Sequence, residues 1–323
     1  RTALAVALGV VFGFPSPLHA QRSRAPSALI PTPASVIGFV PGTDRKLPAW
    51  SQVVAYFTAL SKSSPRIQLH TLGKTTLGRP FIAAIISDSA TIANLPKYRE
   101  IQRRLADPRV RRPGERDSLI ADGKLIVLIT SSIHSDEVGG ILTPLVLAHR
   151  LVSGEDAEAR AIRAQTIVLM VPSLNPDGVD IVGEWYRSTL GTPSEGTDPP
   201  VLYHHYTGHD NNRDWYAFTQ VETQMTIDSL HSLWHPQIVN DIHQQGSDEA
   251  RLFIPPYLDP IEPNVAQILI SGVNALGLDM TWRLTAQGNT DITNNTPPDA
   301  WLGRRAHQHS YGVVREPGKV TPM

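Results

Sequence analysis

The stretch KLIVLITSSIHSDE, residues 124–137, decides the fold because it joins an apolar run to side chains that bind metals. Its first half, Lys124 to Thr130, is short, apolar and rich in β-branched residues, which predicts a buried strand. After Glu137 the apolar residues recur at helical spacing, so we expect a helix that begins near this residue. His134 and Glu137 stand at this junction, where an imidazole and a carboxylate can converge on one point. With a second imidazole they would complete the His₂Glu ligand set of a hydrolytic zinc site, which leaves a fourth position for water.

The second imidazole is expected from His243, which ends another strand-like run, Ile238 to Ile242. Ligands at the carboxyl ends of two strands fit the rule that open α/β sheets bind ligands at that edge. Each feature alone has a simpler interpretation. His134 and Glu137 are compatible with a solvated ion pair. A single histidine such as His243 is compatible with a hydrogen-bonded place in the core.

Two further motifs lie between these residues and make the pattern specific. Asn175-Pro176-Asp177-Gly178 follows an apolar run, and Asp210-Asn211-Asn212-Arg213-Asp214-Trp215 comes later. These two motifs follow His134-x-x-Glu137 and precede His243. This order of four motifs resembles that of the zinc metallocarboxypeptidases of the carboxypeptidase A/B type. The resemblance, to a bacterial-type member, runs from roughly Leu47 to the C-terminus. The segment Leu72 to Pro80 is also similar to the family segment that precedes the first core strands.

The resemblance implies roles for individual residues. It implies one Zn²⁺ per chain, held by His134, Glu137 and His243, and a substrate peptide with a free C-terminal carboxylate. Asn212 and Arg213 match the family pair that binds this carboxylate, a task suited to an arginine fork beside an amide. Asp210 matches the family acid that orients the first zinc histidine. Arg187 matches the family arginine that stabilises the oxyanion.

The sequence departs from the family pattern in two places. Where the family continues Asn-Arg-Asn-Phe, this chain has Asp214 and Trp215, and we expect the extra carboxylate to weaken anion binding or to favour basic substrates. The family also has a late glutamate that deprotonates the zinc-bound water. Glu316 is the only acid after Asp299, but Pro317 follows it and the family pattern is not matched. We therefore expect either that Glu316 is a displaced base or that the base lies beyond a truncated or altered C-terminus. In this form we expect the chain to hydrolyse peptides weakly or not at all.

Composition excludes other classes of protein. A formal net charge of −1 over 323 residues argues against nucleic-acid binding, which needs a basic excess. With no cysteine, the chain has no disulfide framework, no thiolate metal site and no cysteine nucleophile. It also contains neither a Gly-x-Ser-x-Gly elbow nor a phosphate-binding P-loop motif. Metal-assisted hydrolysis is the chemistry that remains.

The pattern of apolar segments predicts one α/β domain with a mixed, mostly parallel twisted sheet and helices on both faces, as in zinc carboxypeptidases. The runs at 67–72 and 81–86 are predicted to form adjacent strands, and a further strand is predicted at 166–171. Helical spacing predicts helices at 50–60, 225–234 and 265–276.

The N-terminal region is expected to lie outside this domain. Residues 1–20 have a basic residue, an apolar core from Ala3 to Phe14 and a small residue before Gln21, which is typical of a secretory signal peptide that lacks its front. Residues 21–46, rich in Pro, Ser and Ala, are predicted to be a linker. Residues 47–323 are then the catalytic domain, which we expect to be incomplete at its C-terminus. We expect an extracytoplasmic monomer without a membrane span.

The function predicted from the sequence is therefore zinc-dependent removal of the C-terminal residue of a peptide. Two alternatives stay open. One keeps the metal and changes the substrate, as in an amidase that acts on acyl-amino acids or on peptidoglycan stem peptides. The other is an inactive zinc- or peptide-binding domain that retains the fold without the base.

Overall fold

A computed structural model of the chain describes residues 29–204, 210–244, 252–256, 262–290 and 292–293, and the backbone of 312–314. The strands among these residues are β1 (Ile67–Lys74), β2 (Pro80–Ile86), β3 (Leu125–Ser131), β4 (Thr166–Val171), β5 (Ile238–Ile242), β6 (Leu252–Phe253), β7 (Ile292–Thr293) and β8 (Gly312–Val314). The apolar runs that the sequence predicted to be strands, at 67–72, 81–86, 124–130, 166–171 and 238–242, therefore form β1 to β5.

Six of the strands form one twisted sheet in the order β1-β2-β4-β3-β5-β8. The three central strands are parallel, because β3 pairs in parallel with both β4 and β5. The remaining neighbours, β1 with β2, β2 with β4 and β5 with β8, are antiparallel. The predicted mixed α/β sheet is confirmed, and its parallel pairing is confined to the centre. A separate pair of short parallel strands, β6 and β7, lies outside this sheet.

Helices connect the strands and cover the sheet. They are α1 (Pro33–Ile37), α2 (Trp50–Ser63), α3 (Ser89–Ile92), α4 (Leu95–Ala106), α5 (Arg116–Asp122), α6 (Gly139–Ser153), α7 (Ala157–Gln165), α8 (Pro176–Thr189), α9 (Val221–Thr226), α10 (Ser232–Trp234) and α11 (Gln267–Ala286). A π-helical segment, Ile227–His231, joins α9 to α10. Among these helices, none combines the length and the apolar character that a membrane crossing requires.

Two apolar clusters pack on opposite faces of the sheet, because successive side chains of a strand alternate between its faces. In β3, Ile126 and Leu128 belong to one cluster and Ile129 to the other. Helices α1, α2 and α6 cover the face of Ile129, where Trp50 and Phe57 of α2 are fully buried. Helix α4 and the segment around α10 cover the opposite face. The sheet is therefore covered on both faces, as predicted.

The chain turns sharply between β3 and α6, and this turn contains the first metal-binding motif. Ser132 has a φ of 54°, which directs the backbone out of the strand. Glu137 donates its backbone N–H to the carbonyl of His134 over 3.3 Å, so the motif is a turn and α6 begins only at Gly139. Gly140 lies against this turn, and a Cβ there would come within 3.1 Å of the Ser132 backbone nitrogen. The predicted helix is thus present but starts two residues later than Glu137.

The hairpin turn between β1 and β2 is fastened to α8. The Arg79 guanidinium contacts the carboxylates of Asp177 at 3.0 Å and Asp180 at 2.6 Å. The Thr75 hydroxyl donates to the same Asp177 carboxylate over 2.7 Å, and the Leu77 backbone N–H donates to it over 2.8 Å. These contacts fix the start of α8 beside the carboxyl ends of the central strands.

Replacement of Leu128 by Ala is expected to destabilise the fold by about 2–5 kcal/mol, because Leu128 has no exposed surface and its loss leaves a cavity in the central strand. Urea unfolding monitored by circular dichroism measures this change. The matched control is Leu125→Ala in the same strand, where the side chain is 40% exposed. Equal losses of stability in the two variants would contradict the assignment of β3 to the buried centre.

Candidate metal centre

The candidate metal ligands lie at one edge of the sheet because β3 and β5 are parallel neighbours. Ser131 at the end of β3 is aligned with Ile242 at the end of β5. The chain continues from these positions to His134 and Glu137 on one side and to His243 on the other. Residues that are more than 100 positions apart in sequence therefore meet through strand pairing.

The three side chains converge on a small volume. His134 Nδ1 lies 2.9 Å from one oxygen of the Glu137 carboxylate, and His243 Nδ1 lies 3.0 Å from the other. The candidate ligand atoms of all three lie within 4.8 Å of one another. The ring centroids of the two histidines are 4.9 Å apart. A cluster of two imidazoles and one carboxylate is the donor set of an open zinc site, so the residues present fit a zinc ion.

Each histidine is held on its outer side by an aspartate. His134 Nε2 lies 2.9 Å from Asp210 Oδ1, and His243 Nε2 lies 3.0 Å from Asp241 Oδ2. A carboxylate in this position accepts the Nε2 proton and leaves Nδ1 for a metal. The sequence resemblance pointed to Asp210 but missed Asp241. The signal for Asp241 was its place two residues before His243 on a strand, because such residues share one face.

The carboxylates set the protonation of the metal-free cluster. Burial alone would lower the pKa of His134, but hydrogen bonds to Asp210 and Glu137 outweigh it and raise this pKa to about 9. In the same way, Asp241 and Glu137 outweigh burial and raise the pKa of His243 to about 10. For Glu137, burial is outweighed by the two histidines, which lower its pKa to about 2. At neutral pH both imidazoles are therefore protonated without metal, and a bound cation must displace their Nδ1 protons.

The Asn212-Arg213 pair lies beside this cluster on a 3₁₀ turn, Asn211–Arg213. The Nδ2 atom of Asn212 is 3.5 Å from His243 Nε2, and its Oδ1 accepts a hydrogen bond from Trp215 Nε1 over 2.9 Å. The indole therefore fixes the amide with its nitrogen toward the histidine. Arg213 donates from Nη1 to the Asn212 carbonyl over 3.2 Å, and its side chain is partly buried.

Asp214 does not act as expected from sequence. Its side chain is 1% exposed. It accepts hydrogen bonds from the backbone N–H groups of Thr219 and Gln220, each over 2.9 Å, and from the Thr219 hydroxyl. Burial raises its pKa, but these donors outweigh that effect and lower it. The carboxylate therefore anchors the following loop, and the expectation that it weakens anion binding or attracts basic substrates is not supported.

The role of Arg187 as oxyanion donor stays a prediction, and the structure places this residue on α8. Arg187 is exposed in the last turn of α8, and its guanidinium lies against Gly183 one turn earlier. The helix begins at Pro176, so at 1.5 Å per residue Arg187 lies roughly 16 Å further along the axis.

Glu316, the candidate base, lies outside the described residues. Strand β8 just before it runs antiparallel to β5, with Gly312 opposite Asn240 and Val314 opposite Ile238. From Gly312 to Val314 the chain therefore moves away from the edge that holds His243.

Comparisons with known proteins were made with the sequence and with the fold. The model of the zinc carboxypeptidase family matches residues 53–252. No curated protein gives a significant match in sequence. The crystal structure of thrombin activatable fibrinolysis inhibitor is similar in fold, with a TM-score of 0.53 and 10% identity over 85% of this chain and 67% of that one.

Two other solved structures have lower TM-scores and higher sequence identities. Carboxypeptidase A from Helicoverpa armigera gives a TM-score of 0.48 with 15% identity over 81% of this chain. A metallo-carboxypeptidase from Burkholderia cenocepacia gives 0.47 with 17% identity over 79% of this chain. The chain spans 62% of the first of these two chains and 55% of the second.

Purified protein is expected to bind about one zinc ion per chain, and His243→Ala is expected to abolish tight binding because one of three ligands is lost. Elemental analysis after dialysis measures this. His235→Ala is the control, since His235 precedes β5 at the opposite end of the strand from His243. Full zinc content in His243→Ala would remove the assignment.

Zinc affinity should also rise with pH, because the metal competes with protons on His134 and His243. Both pKa values lie above the ordinary value of 6.5. The protonated histidines thus stabilise the metal-free fold fully below about pH 6.5, and this contribution is lost as pH rises toward 9–10. Chelator competition and metal-free thermal unfolding at pH 6 to 10 should therefore show opposite trends. Parallel trends would contradict the hydrogen-bonded arrangement.

Proposed function

The chain belongs to the zinc carboxypeptidase family, and from this premise we propose that it is a zinc-dependent hydrolase that removes the C-terminal residue of peptides. The observation that carries the proposal is the convergence of His134, Glu137 and His243 within 4.8 Å, beside an amide and an arginine suited to a carboxylate. A metal held by these three residues would supply its hydrolytic chemistry near the end of a peptide whose carboxylate is bound by Asn212 and Arg213.

The proposed division of labour begins with the metal ligands. Zinc, when bound, supplies the Lewis acidity that polarises a scissile carbonyl and activates water. His134 and His243 present Nδ1 toward Glu137, and Asp210 and Asp241 hold the Nε2 protons on the outer side. The imidazoles are therefore oriented before metal arrives, which reduces the ordering that binding would otherwise require.

The proposed substrate-binding groups are Asn212 and Arg213. The indole of Trp215 occupies the Asn212 oxygen, so the amide offers only donors to a ligand. A guanidinium and an amide N–H₂ are both donors, and an anion is the ligand that such a pair accepts. A peptide C-terminus meets this requirement, whereas an amidated terminus does not.

Glu316 remains the predicted proton-transfer group. A positioned carboxylate normally adds about two to four orders of magnitude to the rate by moving the proton. Because Pro317 follows Glu316 and the family pattern is not matched, we keep the expectation that this chain hydrolyses peptides weakly.

Arg213→Ala is expected to weaken hydrolysis of peptides with a free C-terminus by roughly 2–4 kcal/mol in transition-state binding, because a charge-assisted contact is lost. The measurement is kcat/KM on one peptide and its amidated form, in parent and variant protein. Arg160→Ala is the control, since this exposed arginine lies on α7. The parent should act poorly on the amidated peptide.

Three outcomes of this assay would redirect the proposal. Equal parent rates on free and amidated peptides would favour an amidase of broader substrate class. Zinc binding without turnover would favour an inactive binding domain. Strong parent activity that Glu316→Gln abolishes would establish Glu316 as the base and overturn the expectation of weak activity.

We also propose that residues 1–20 direct export and that 47–323 form the catalytic unit. Within the predicted linker 21–46, Pro33–Ile37 instead packs as α1 against the core, so this part belongs to the domain. The basis for export is the apolar run Ala3 to Phe14 ahead of Ala20. Protein produced with its native start should begin near Gln21 when its N-terminus is sequenced. Soluble cytoplasmic protein that retains Val6 to Phe14 would contradict export.

A further inference from the structure

We propose that Asp241 and Thr130 are positioning residues that hold His243 in the orientation and tautomer required for zinc. The inference rests on the proposed zinc site and extends it to two side chains that lie on neighbouring strands. Neither residue belongs to the four motifs from which the family was recognised.

The contacts form a chain that crosses the sheet. Thr130 of β3 and Asp241 of β5 are aligned in the parallel register. The Thr130 hydroxyl donates to Asp241 Oδ1 over 2.7 Å, and Asp241 Oδ2 lies 3.0 Å from His243 Nε2. Both carboxylate oxygens of Asp241 therefore take part in hydrogen bonds. One bonds to Thr130, on the strand that leads to His134, and the other bonds to His243.

Asp241 is buried and is therefore not a surface carboxylate that serves only to contact solvent. Asp241 is 8% exposed, and Val239 on the same face of β5 belongs to an apolar core cluster. A carboxylate in such a place costs stability unless it is hydrogen-bonded, and an apolar residue would suit the sheet better. The two hydrogen bonds supply the compensation, and the one to His243 connects it to the metal cluster.

The consequence for His243 is geometric. An imidazole has two nitrogens that compete for one proton when neutral, and a fixed acceptor at Nε2 keeps the proton there. Nδ1, which lies 3.0 Å from Glu137, is then the nitrogen left to give its lone pair to a metal once its own proton is lost. Asp210 makes the equivalent contact with His134, so each ligand histidine has its own carboxylate. Thr130 prevents Asp241 from rotating away from this role.

The test measures zinc affinity by competition with a chromophoric chelator, without any peptide. Four variants of the full chain are compared with the parent: Asp241→Ala, Asp241→Asn, Thr130→Val and Asp88→Asn. Asp88 is the matched control, because it caps α3 and contacts Lys124 at the opposite end of β3. Urea unfolding of the zinc-free proteins gives the stability of each variant separately.

Asp241→Ala is expected to weaken zinc binding about 10- to 100-fold, the range found when such outer partners of metal ligands are lost. Asp241→Asn should lose less affinity, because its amide oxygen still accepts the Nε2 proton, and Thr130→Val should also lose less than Asp241→Ala. Asp88→Asn should retain the parent affinity. In zinc-loaded protein with ¹⁵N-labelled histidine, the Nε2–H resonance of His243 should be protected from water exchange in the parent and not in Asp241→Ala.

Unchanged zinc affinity in Asp241→Ala and Asp241→Asn would overturn the inference, as would an Nε2–H resonance equally protected with and without Asp241. If Asp241→Ala does not fold, Asp241→Asn and Thr130→Val decide by the same measures. A parent that binds no zinc would overturn both this inference and the proposed function. A parent that binds zinc but leaves every peptide intact would overturn only the proposed function, since affinity is measured without substrate.

Discussion

The parallel pairing of β3 with β5 is the constraint on which the site depends. It aligns Ser131 with Ile242, so that the turn after one strand and the end of the other meet at one edge. A slip of one residue in this register would move Asp241 and His243 to the opposite face of the sheet. The register is held by the apolar faces on both sides of β3, where Leu128 packs in one cluster and Ile129 in the other. The packing of the core thus sets the distance between the groups that could hold a metal.

Charge balance explains how a cluster rich in carboxylates is stable in the metal-free fold. Three carboxylates, Glu137, Asp210 and Asp241, surround His134 and His243. With both imidazoles protonated the formal charge of these five side chains is −1, and with neutral imidazoles and one Zn²⁺ the charge of the cluster would again be −1. The exchange of two protons for one divalent cation leaves the net charge unchanged. The raised pKa values of the histidines and the proposed affinity for zinc therefore have the same cause, a surplus of fixed negative charge.

Sequence reasoning succeeded where one local pattern determines the outcome. Apolar runs located β1 to β5, with Thr166–Val171 matching its predicted bounds, because a strand buried on both faces needs a nearly continuous apolar run. It failed where the outcome depends on a whole segment. Glycines 178 and 183 interrupt the apolar spacing of α8, so this helix was not predicted. Asp241 was missed because its partner Thr130 becomes visible only once the register is known.

The two departures from the family motif at 214 and 215 have a joint effect that their side-chain types alone do not suggest. Asp214 binds the backbone of Thr219 and Gln220, and Trp215 donates to the Asn212 amide oxygen. Both contacts act within the segment that carries Asn212, and both replace mobility with fixed hydrogen bonds. An amide has two orientations of nearly equal shape, and only one presents donors to an anion. A phenylalanine at 215 would leave that choice open, because its ring has no hydrogen-bond donor. The difference between this chain and the family pattern therefore concerns how firmly the Asn212 amide, the proposed anion-binding group, is oriented, since the Asp214 carboxylate is buried and bonded to its own loop.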